Sequence, residues 1–562
     1  MRFLPASDQA LLVELDDLPQ TMALYRACVA QPLPGVQSLV PAARTLLVQF
    51  APWATTVQQV QQAVQARART AWQRMESAQL AAANRVVEIP VHYGGEDLQD
   101  VAQLLGLSVQ EVVRQHTAQP YDAAFAGFAP GFVYLSGGAN FQVPRRHSPR
   151  TKVPAGAVAL GGNFSAVYPS ASPGGWQLIG VTPLAMWDLA RAEPAYVQPG
   201  FQVQFVDADR CTVAVPAGAS TPAEPPHANM ADCTAAGGQG VHLNTQPTVT
   251  CISTGLHTAF QDHGRYGMEG LGISASGALD QGAMRRANRM VGNPIHTPVL
   301  ENLLGQLVLR AQGPCTLAVS GAAVTLQVRS RAGQAWLVPQ AQAVALNAGD
   351  SLHVGTPMAG VRCYVAVRGG FAVQPVLGSC STDSLAQVGP APLQAGQVLE
   401  VGCSVPPSQL QAVPLEADAA PELPRAGDTV WLDVVLGPRT DWLTPQALQT
   451  LTEQPWAVTP QSNRIGMRLQ GAQPLERLHT QELPSEGTVP GAIQVPLSGQ
   501  PVLFLADHPL TGGYPVMGAL ASHHMDLAAQ IPVGCHIRFR VVAPFAAQAV
   551  ANWVNEPPAK EC

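Results

Sequence analysis

Arg145, Arg146 and Arg150 stand within six positions of one another between short apolar runs, where a loop is expected. They concentrate permanent positive charge, and guanidinium groups pair well with carboxylates and phosphates. The same side chains would serve equally in a solvated basic loop or in structural ion pairs, so both roles stay open. Upstream, His116 closes a helical stretch and precedes Thr117; histidine exchanges protons near neutrality but also fills cores. In the second half, Gln261, Asp262 and Arg265 lie on a glycine-flanked turn, and Asp280 stands where a helix begins, suited to capping it or to holding a ligand. Asn463, Arg464 and Arg468 adjoin a strand, with Glu486 farther on. Arginine there suits a substrate carboxylate or phosphate, the alternative being a buried Arg/Glu pair.

The elements that must position these groups announce themselves by a repeat. Val153-Pro154-Ala155-Gly156, Tyr168-Pro169, Gly174-Gly175-Trp176 and Gly180 return as Val489-Pro490-Gly491, His508-Pro509, Gly512-Gly513-Tyr514 and Gly518. A fixed order of glycines and prolines around short apolar runs is what a duplicated β unit leaves behind. Two related β domains are therefore expected. Their glycines would make tight turns, and backbone N–H groups so exposed would also suit an oxyanion.

The chain has 562 residues, 47% hydrophobic and 12% charged, with 51 glycines and 50 prolines dispersed between apolar runs. That is a turn-rich β protein of several domains. The net charge of −7 comes without any Lys/Arg run able to follow a phosphate backbone, which argues against nucleic acid as a partner. The amino-terminal residues lack a signal-peptide core, and no apolar run is long enough to span a bilayer, so a cytoplasmic protein off the membrane is expected. The 10 cysteines form no C-x-x-C pair and no zinc spacing, and reduced thiols follow. Lysine occurs only at Lys152 and Lys560. This excludes a phosphate-binding P-loop, a biotinyl lysine in its carrier setting and a Ser-Ser-Lys amidase.

Along the chain, residues 1–85 read as a small α/β domain, with strands near 10–15 and 45–50 and a helix over about 56–84. A strand at 86–91 and one or two helices over 97–115 open a second unit of short β runs, 86–210. Residues 211–247 lose periodicity and read as a linker, as if two genes had fused. Units at 248–405, with a helix over about 280–291, and at 425–550 follow, separated by a proline-rich break near 406–424.

The ordered blocks Gly127-Phe128-Ala129-Pro130-Gly131-Phe132, Val143-Pro144-Arg145-Arg146 and Gly174-Gly175-Trp176, with Tyr93-Gly94-Gly95-Glu96-Asp97 upstream, closely resemble the B-type component of bacterial 5-oxoprolinase, also described as allophanate hydrolase subunit 1. Gln261-Asp262-His263-Gly264-Arg265, Ser276-Gly277-Ala278-Leu279-Asp280, Leu377-Gly378-Ser379, Ser462-Asn463-Arg464 and Ser485-Glu486-Gly487 resemble the C-type component, allophanate hydrolase subunit 2. The resemblance, to the 5-oxoprolinase/urea amidolyase family, covers nearly the whole chain outside the linker. It implies a mainly β fold with an α/β amino-terminal domain and several cyclophilin-like β barrels, at 86–210, 248–405 and 425–550. It also implies ATP-dependent opening of 5-oxoproline to glutamate with a separate A-type 5-oxoprolinase component as partner, using ATP with Mg2+. On that reading His116, Asp280 and Glu486 are the expected catalytic groups. Arg145, Arg146, Arg150, Gln261, Asp262, Arg265, Asn463, Arg464 and Arg468 are the expected substrate contacts. No residue is assigned to a cofactor or to a metal.

Two positions depart from the resembled pattern: Cys380 and His508 each replace an arginine. Each change removes a cation that could meet an anion and leaves room for another substrate. The rivals are a urea carboxylase-like carboxyltransferase, its biotin carrier a separate chain, and a non-enzymatic regulatory module resembling an inhibitor of a sensor kinase.

Overall fold

The computed structural model describes the chain except for residues 77–84, 140, 147, 149, 211–246, 341, 403–421, 480 and 544–562. Residues 211–246 of the expected linker and most of the proline-rich break lie outside the described residues. No described helix is long and apolar enough to cross a membrane.

The amino-terminal domain is a four-stranded antiparallel sheet in the order Arg2–Ser7, Ala10–Glu14, Thr45–Phe50, Val36–Pro41. Its central strands are apolar at successive positions because both faces are covered. Leu11, Val13, Leu46 and Val48 meet helices Leu18–Ala30 and Val57–Glu76, while Ala10, Leu12 and Leu47 face the carboxy-terminal barrel. The first of these helices was not expected. Its start is written in Asp17, whose carboxylate accepts the Gln20 N–H at 2.8 Å, and in the proline of its first turn.

Two closed barrels of seven strands follow the same plan. In the first, the order is Phe164–Val167, Val133–Gly137, Tyr121–Ala126, Gln202–Asp207, Val86–Tyr93, Gln177–Val181, Ala157–Gly161. In the second it is Val502–Phe504, Gly466–Gln470, Trp456–Val458, His536–Val542, Thr429–Leu436, Val516–Leu520, Ala492–Gln494. Strand for strand the orders coincide, down to one parallel pair formed by the first and last strand of each barrel. Helical residues sit after the first strand in both: Leu98–Leu105 and Val109–Ala118, broken at left-handed Gly106 (φ 66°), and Pro445–Glu453.

Between the barrels lies a sandwich, which corrects the expectation of a barrel at 248–405. A six-stranded and a five-stranded sheet share one core, with Leu307, Leu309 and Leu352 of one meeting Leu317, Val319 and Val365 of the other. Both sheets keep free edges, at Ala335–Val338 and Val398–Glu400 in one and at His257–Gln261 and Val344–Leu346 in the other. Helix Gln281–Met290 packs on the outer face of the five-stranded sheet through Ala283, Met284 and Ala287.

The repeated glycines hold a matched device in each barrel, a short two-stranded ribbon: Arg150–Val153 with Ser172–Gly174, and Glu486–Gly487 with Thr511–Gly512. Gly174 lies opposite Arg150 and Gly512 opposite Glu486. These glycines are needed for close approach rather than for a left-handed backbone, since a Cβ on Gly174 would lie 2.3 Å from the Tyr168 hydroxyl. One equivalence differs from the sequence reading. The N–H of Gly156 bonds to Tyr168 O at 2.8 Å, and that of Gly491 to Phe504 O at 2.9 Å, so the counterpart of Tyr168 is Phe504 and not His508. The segment from Phe504 to Gly512 is two residues longer than that from Tyr168 to Gly174, and it carries Asp507.

Candidate functional site

The first barrel uses its expected site residues for its own architecture. His116 is sealed in the barrel, its Nδ1 2.7 Å from the Tyr93 hydroxyl, its Nε2 3.0 Å from Ser165 Oγ, and its ring stacked on Phe205 at 4.3 Å. Burial drives its pKa down to about 3, which favours the neutral ring. Arg146 and Arg150 converge on buried Asp97: Arg146 Nη1 lies 2.5 Å from Oδ1, and Arg150 gives bonds of 2.9 Å to each oxygen. The Leu178 N–H adds a bond of 2.7 Å. Burial works against the Asp97 charge, but Arg150, the Leu178 N–H and Arg146 together hold the carboxyl below its usual range. The structural ion pair is thus the role these two arginines take. Arg145 instead reaches the other half of the chain, 3.2 Å from Ser485 Oγ and 3.7 Å from Glu482.

The second barrel repeats the ion pair with its charges exchanged. Arg439 occupies the place of Asp97: its N–H bonds to Val516 O at 2.9 Å, as that of Asp97 bonds to Leu178 O at 3.0 Å. Glu486 occupies the ribbon place of Arg150. Arg439 Nε lies 3.0 Å from both Glu486 oxygens, and its Nη1 lies 2.8 Å from Glu14 of the amino-terminal sheet. Glu486 is therefore the buried partner of Arg439, and Arg439 ties the barrel to that sheet. Asn463 is exposed and builds a turn, its Oδ1 accepting the N–H groups of Ile465 at 2.9 Å and Gly466 at 3.2 Å. Arg468 is exposed on the barrel wall.

The remaining expected residues come together where the sandwich, the second barrel and the first barrel meet. Asp262 accepts four bonds at Oδ1 and Oδ2: from Ser379 Oγ (2.7 Å), Ser381 Oγ (2.5 Å), Gly264 N–H (2.8 Å) and Cys380 N–H (2.7 Å). It thereby pins residues 379–381 to the turn after His257–Gln261. Gln261 Nε2 bonds to Thr382 O at 2.9 Å, and Arg265 Nη2 bonds to Ser381 O. From the second barrel, Arg464 grips Asp507 through Nε (3.0 Å) and Nη2 (2.9 Å) and Glu301 through Nη1, while Nη2 also reaches Gly277 O at 2.7 Å. Asp507 further accepts from Ser276 Oγ at 2.6 Å and from Ser384 N–H and Oγ at 2.9 and 2.7 Å. Beside it, Asp383 uses Oδ1 for the N–H groups of Leu385 and Ala386 at 2.9 and 2.8 Å.

The electrostatics divide these carboxylates. Burial raises Asp507, but Arg464 and the serine hydroxyls outweigh it and keep the group ionised. Burial, and then the Asp507 charge, raise Asp383 well above the carboxylate range, since two neighbouring carboxylates do not both ionise readily. Asp280 caps helix Gln281–Met290, its Oδ1 accepting the Ala283 N–H at 2.7 Å and its Oδ2 the Gln530 amide at 2.8 Å. Burial, then Asp526, push it up to about 6. A carboxyl with a raised pKa and an ionised one, beside two buried arginines, can hold an anionic ligand and deliver or accept a proton.

Asp383, Asp507 and Glu301 were missed as candidates; they are scattered over the sequence, and only Asp507 stood beside a quoted block. Neither departure supplies a cation here. The Cys380 thiol is buried and pushed up to about 11, and burial lowers His508 to about 4, leaving it neutral. Among the described residues, Asp433, His523 and His524 could group around a metal. They fit magnesium poorly, because that ion takes oxygen ligands, Arg540 Nε lies 2.6 Å from Asp433, and His524 Nδ1 accepts the Asp433 N–H at 2.8 Å.

Comparison with known proteins gives the same two halves. Residues 1–197 match the carboxyltransferase domain, subdomain C and D, and residues 271–541 match the carboxyltransferase domain, subdomain A and B. The chain is 37% identical over 292 residues to the 5-oxoprolinase C component of Escherichia coli K12, covering 51% of this chain and 89% of that protein. It is 40% identical over 185 residues to the 5-oxoprolinase B component of Bacillus subtilis 168, covering 31% of this chain and 77% of that protein. The crystal structure of TTHA0988 superposes with a TM-score of 0.74 at 31% identity, covering 95% of this chain and all of that one. With one half similar to each component and the shared barrel plan in both, the chain belongs to the family of fused homologues of the B and C components of 5-oxoprolinase, with carboxyltransferase domains.

Proposed function

We propose that this chain is the joined B–C component of an ATP-dependent 5-oxoprolinase, opening 5-oxo-L-proline to L-glutamate together with a separate A-type partner. The observation that carries the reading is that a B-like and a C-like half are held in one chain and meet beside a buried cluster of arginines and unequal carboxyls. Hydrolysis of an unstrained lactam needs activation, and the simplest coupling passes the γ-phosphoryl group of ATP to the amide oxygen as ADP leaves. Water then adds to the activated carbon, the C–N bond breaks as the ring nitrogen takes up a proton, and a second water releases the phosphate. Such a path needs cations for developing negative charge and an acid–base pair. The Arg265, Asp383 and Asp507 grouping offers both kinds of group. Magnesium enters this reading with ATP, and the use of ATP accords with a cytoplasmic reaction.

The name of the matched domains favours one second reading, a carboxyltransferase acting on a urea-like amide with its biotin carrier supplied by another chain. Purified chain, with and without an A-type partner, assayed for ADP release separates the readings. The first expects release that depends on 5-oxoproline and on the partner. No release with 5-oxoproline but stimulation by urea with a biotin carrier and carboxylase would replace it with the second. No turnover under any combination would leave a regulatory module.

A further inference from the structure

The junction leaves hydrogen-bonding groups unspent, and they converge on one short segment. Arg265 is 2% exposed, yet Nη2 bonds only to Ser381 O while Nε and Nη1 have no partner. Gln261 is fully buried, with its amide nitrogen on Thr382 O and its Oε1 without a partner. Asp383, 1% exposed, has Oδ1 on two backbone N–H groups and Oδ2 without a partner. The three therefore line up on consecutive residues 381, 382 and 383. Arg464, in the same cluster, shows the contrast, because all three of its nitrogens are engaged. A buried guanidinium left short of partners costs stability, and so does each buried acceptor left unpaired, so a fold that keeps all three in one place calls for an explanation. Ile273, Ala386 and Val388, with Trp187 of the first barrel, form an apolar cluster beside them that lowers the local dielectric.

We propose that Arg265, Gln261 and Asp383 recognise the substrate, a small cyclic amide bearing a carboxylate, with its anionic oxygens on Arg265 and its amide group between Gln261 Oε1 and Asp383 Oδ2. The inference rests on the lactam reading given above. The chemistry of the orphaned groups fits such a ligand. Arg265 offers donors for a carboxylate, Gln261 an acceptor for the ring N–H, and Asp383, when its carboxyl carries a proton, a donor through Oδ2 for the ring carbonyl. An anionic oxygen could equally come from phosphate, so the test distinguishes the two sources.

The experiment is equilibrium binding to the full chain with its A-type partner present, using 5-oxo-L-proline, 2-pyrrolidinone (the same ring without the carboxylate) and inorganic phosphate. The wild type should bind 5-oxoproline at least about tenfold more tightly than pyrrolidinone, the scale of a lost charged hydrogen bond. Arg265→Gln should abolish that gap while leaving pyrrolidinone binding within about twofold. Arg265→Lys, which keeps a cation for Ser381 O, should restore part of it. Asp383→Asn keeps the Oδ1 bonds and should weaken both lactams alike. Thermal unfolding confirms that each variant is folded, and a variant that is not is replaced by its conservative partner at that site. If the gap survives in Arg265→Gln, the placement is wrong while the lactam reading stands. If Arg265→Gln removes phosphate binding alone, the anion is phosphate and the carboxylate placement falls. A wild type that binds neither lactam contradicts the reaction itself.

Discussion

The two barrels share strand order, ribbon and register, yet they spend the same positions differently. In the first, the ribbon pair is Asp97 with Arg150, and the face beneath the ribbon is filled by Phe125, Phe132, Tyr134, Tyr168 and Trp176. In the second, the pair is Arg439 with Glu486, and the matching face, through Val489, Phe504 and Leu510, is covered by Ala10, Leu12 and Leu47 of the amino-terminal sheet. The exchange of charge shows that the frame accepts a pair of either polarity at this place. The lengthened arm after Phe504 is what separates the barrels in chemistry, because it delivers Asp507 to Arg464 and so builds the junction cluster.

The largest effect should come from that arm. Arg464→Met leaves Glu301 and Asp507 buried without their shared cation and should cost about 3–5 kcal/mol, read by urea denaturation. A cost under about 1 kcal/mol would mean that the cluster does not hold the sandwich to the barrel. Next, the exchange can be imposed on the first barrel. Asp97→Arg alone should cost about 3 kcal/mol, and adding Arg150→Glu should recover only part, since Arg146 still points at position 97. No recovery would break the proposed equivalence of Asp97 with Arg439.

His116 gives a pH-dependent test. Its folded-state pKa of about 3 lies below that of an unfolded histidine, so the unfolded chain binds the extra proton. The stabilisation is complete above about pH 6.5 and is lost as pH falls toward 3, the loss amounting to about 2 kcal/mol at pH 5. His116→Gln should flatten this dependence by about one proton and leave the pH profile of turnover unchanged; a shifted profile would return His116 to the chemistry. The smallest effect belongs to Arg468→Ala, which should change stability by no more than about 0.5 kcal/mol and leave turnover unaltered.

The frame was far more legible than the site. Glycine order in Val153–Gly180 and Val489–Gly518 marks close backbone approaches, and these leave little freedom of residue type, so the duplicated barrel could be read from one sequence. The helix at Leu18–Ala30 was missed although its capping signal is local. The sandwich was misread because an open sheet and a closed one carry the same short apolar runs. Site assignment suffered more, because partnership is not written in sequence. Arg146 and Arg150 look free until Asp97 is brought beneath them, and the same holds for Glu486 and Arg439. Asp383 gives no local sign that Asp507 will lie beside it, and the two-residue difference in the repeat hid the arm that carries Asp507.

The most direct measurement compares matched substitutions in the two halves, Arg265→Gln at the junction and Arg150→Gln in the first barrel, by lactam-dependent ADP release with the A-type partner below both unfolding temperatures. Arg265→Gln should lower kcat/KM by about a hundredfold, roughly 2.7 kcal/mol of transition-state binding, while Arg150→Gln should stay within about twofold of wild type. The opposite ranking would contradict a site at the junction, placing the chemistry on the ribbon of the first barrel.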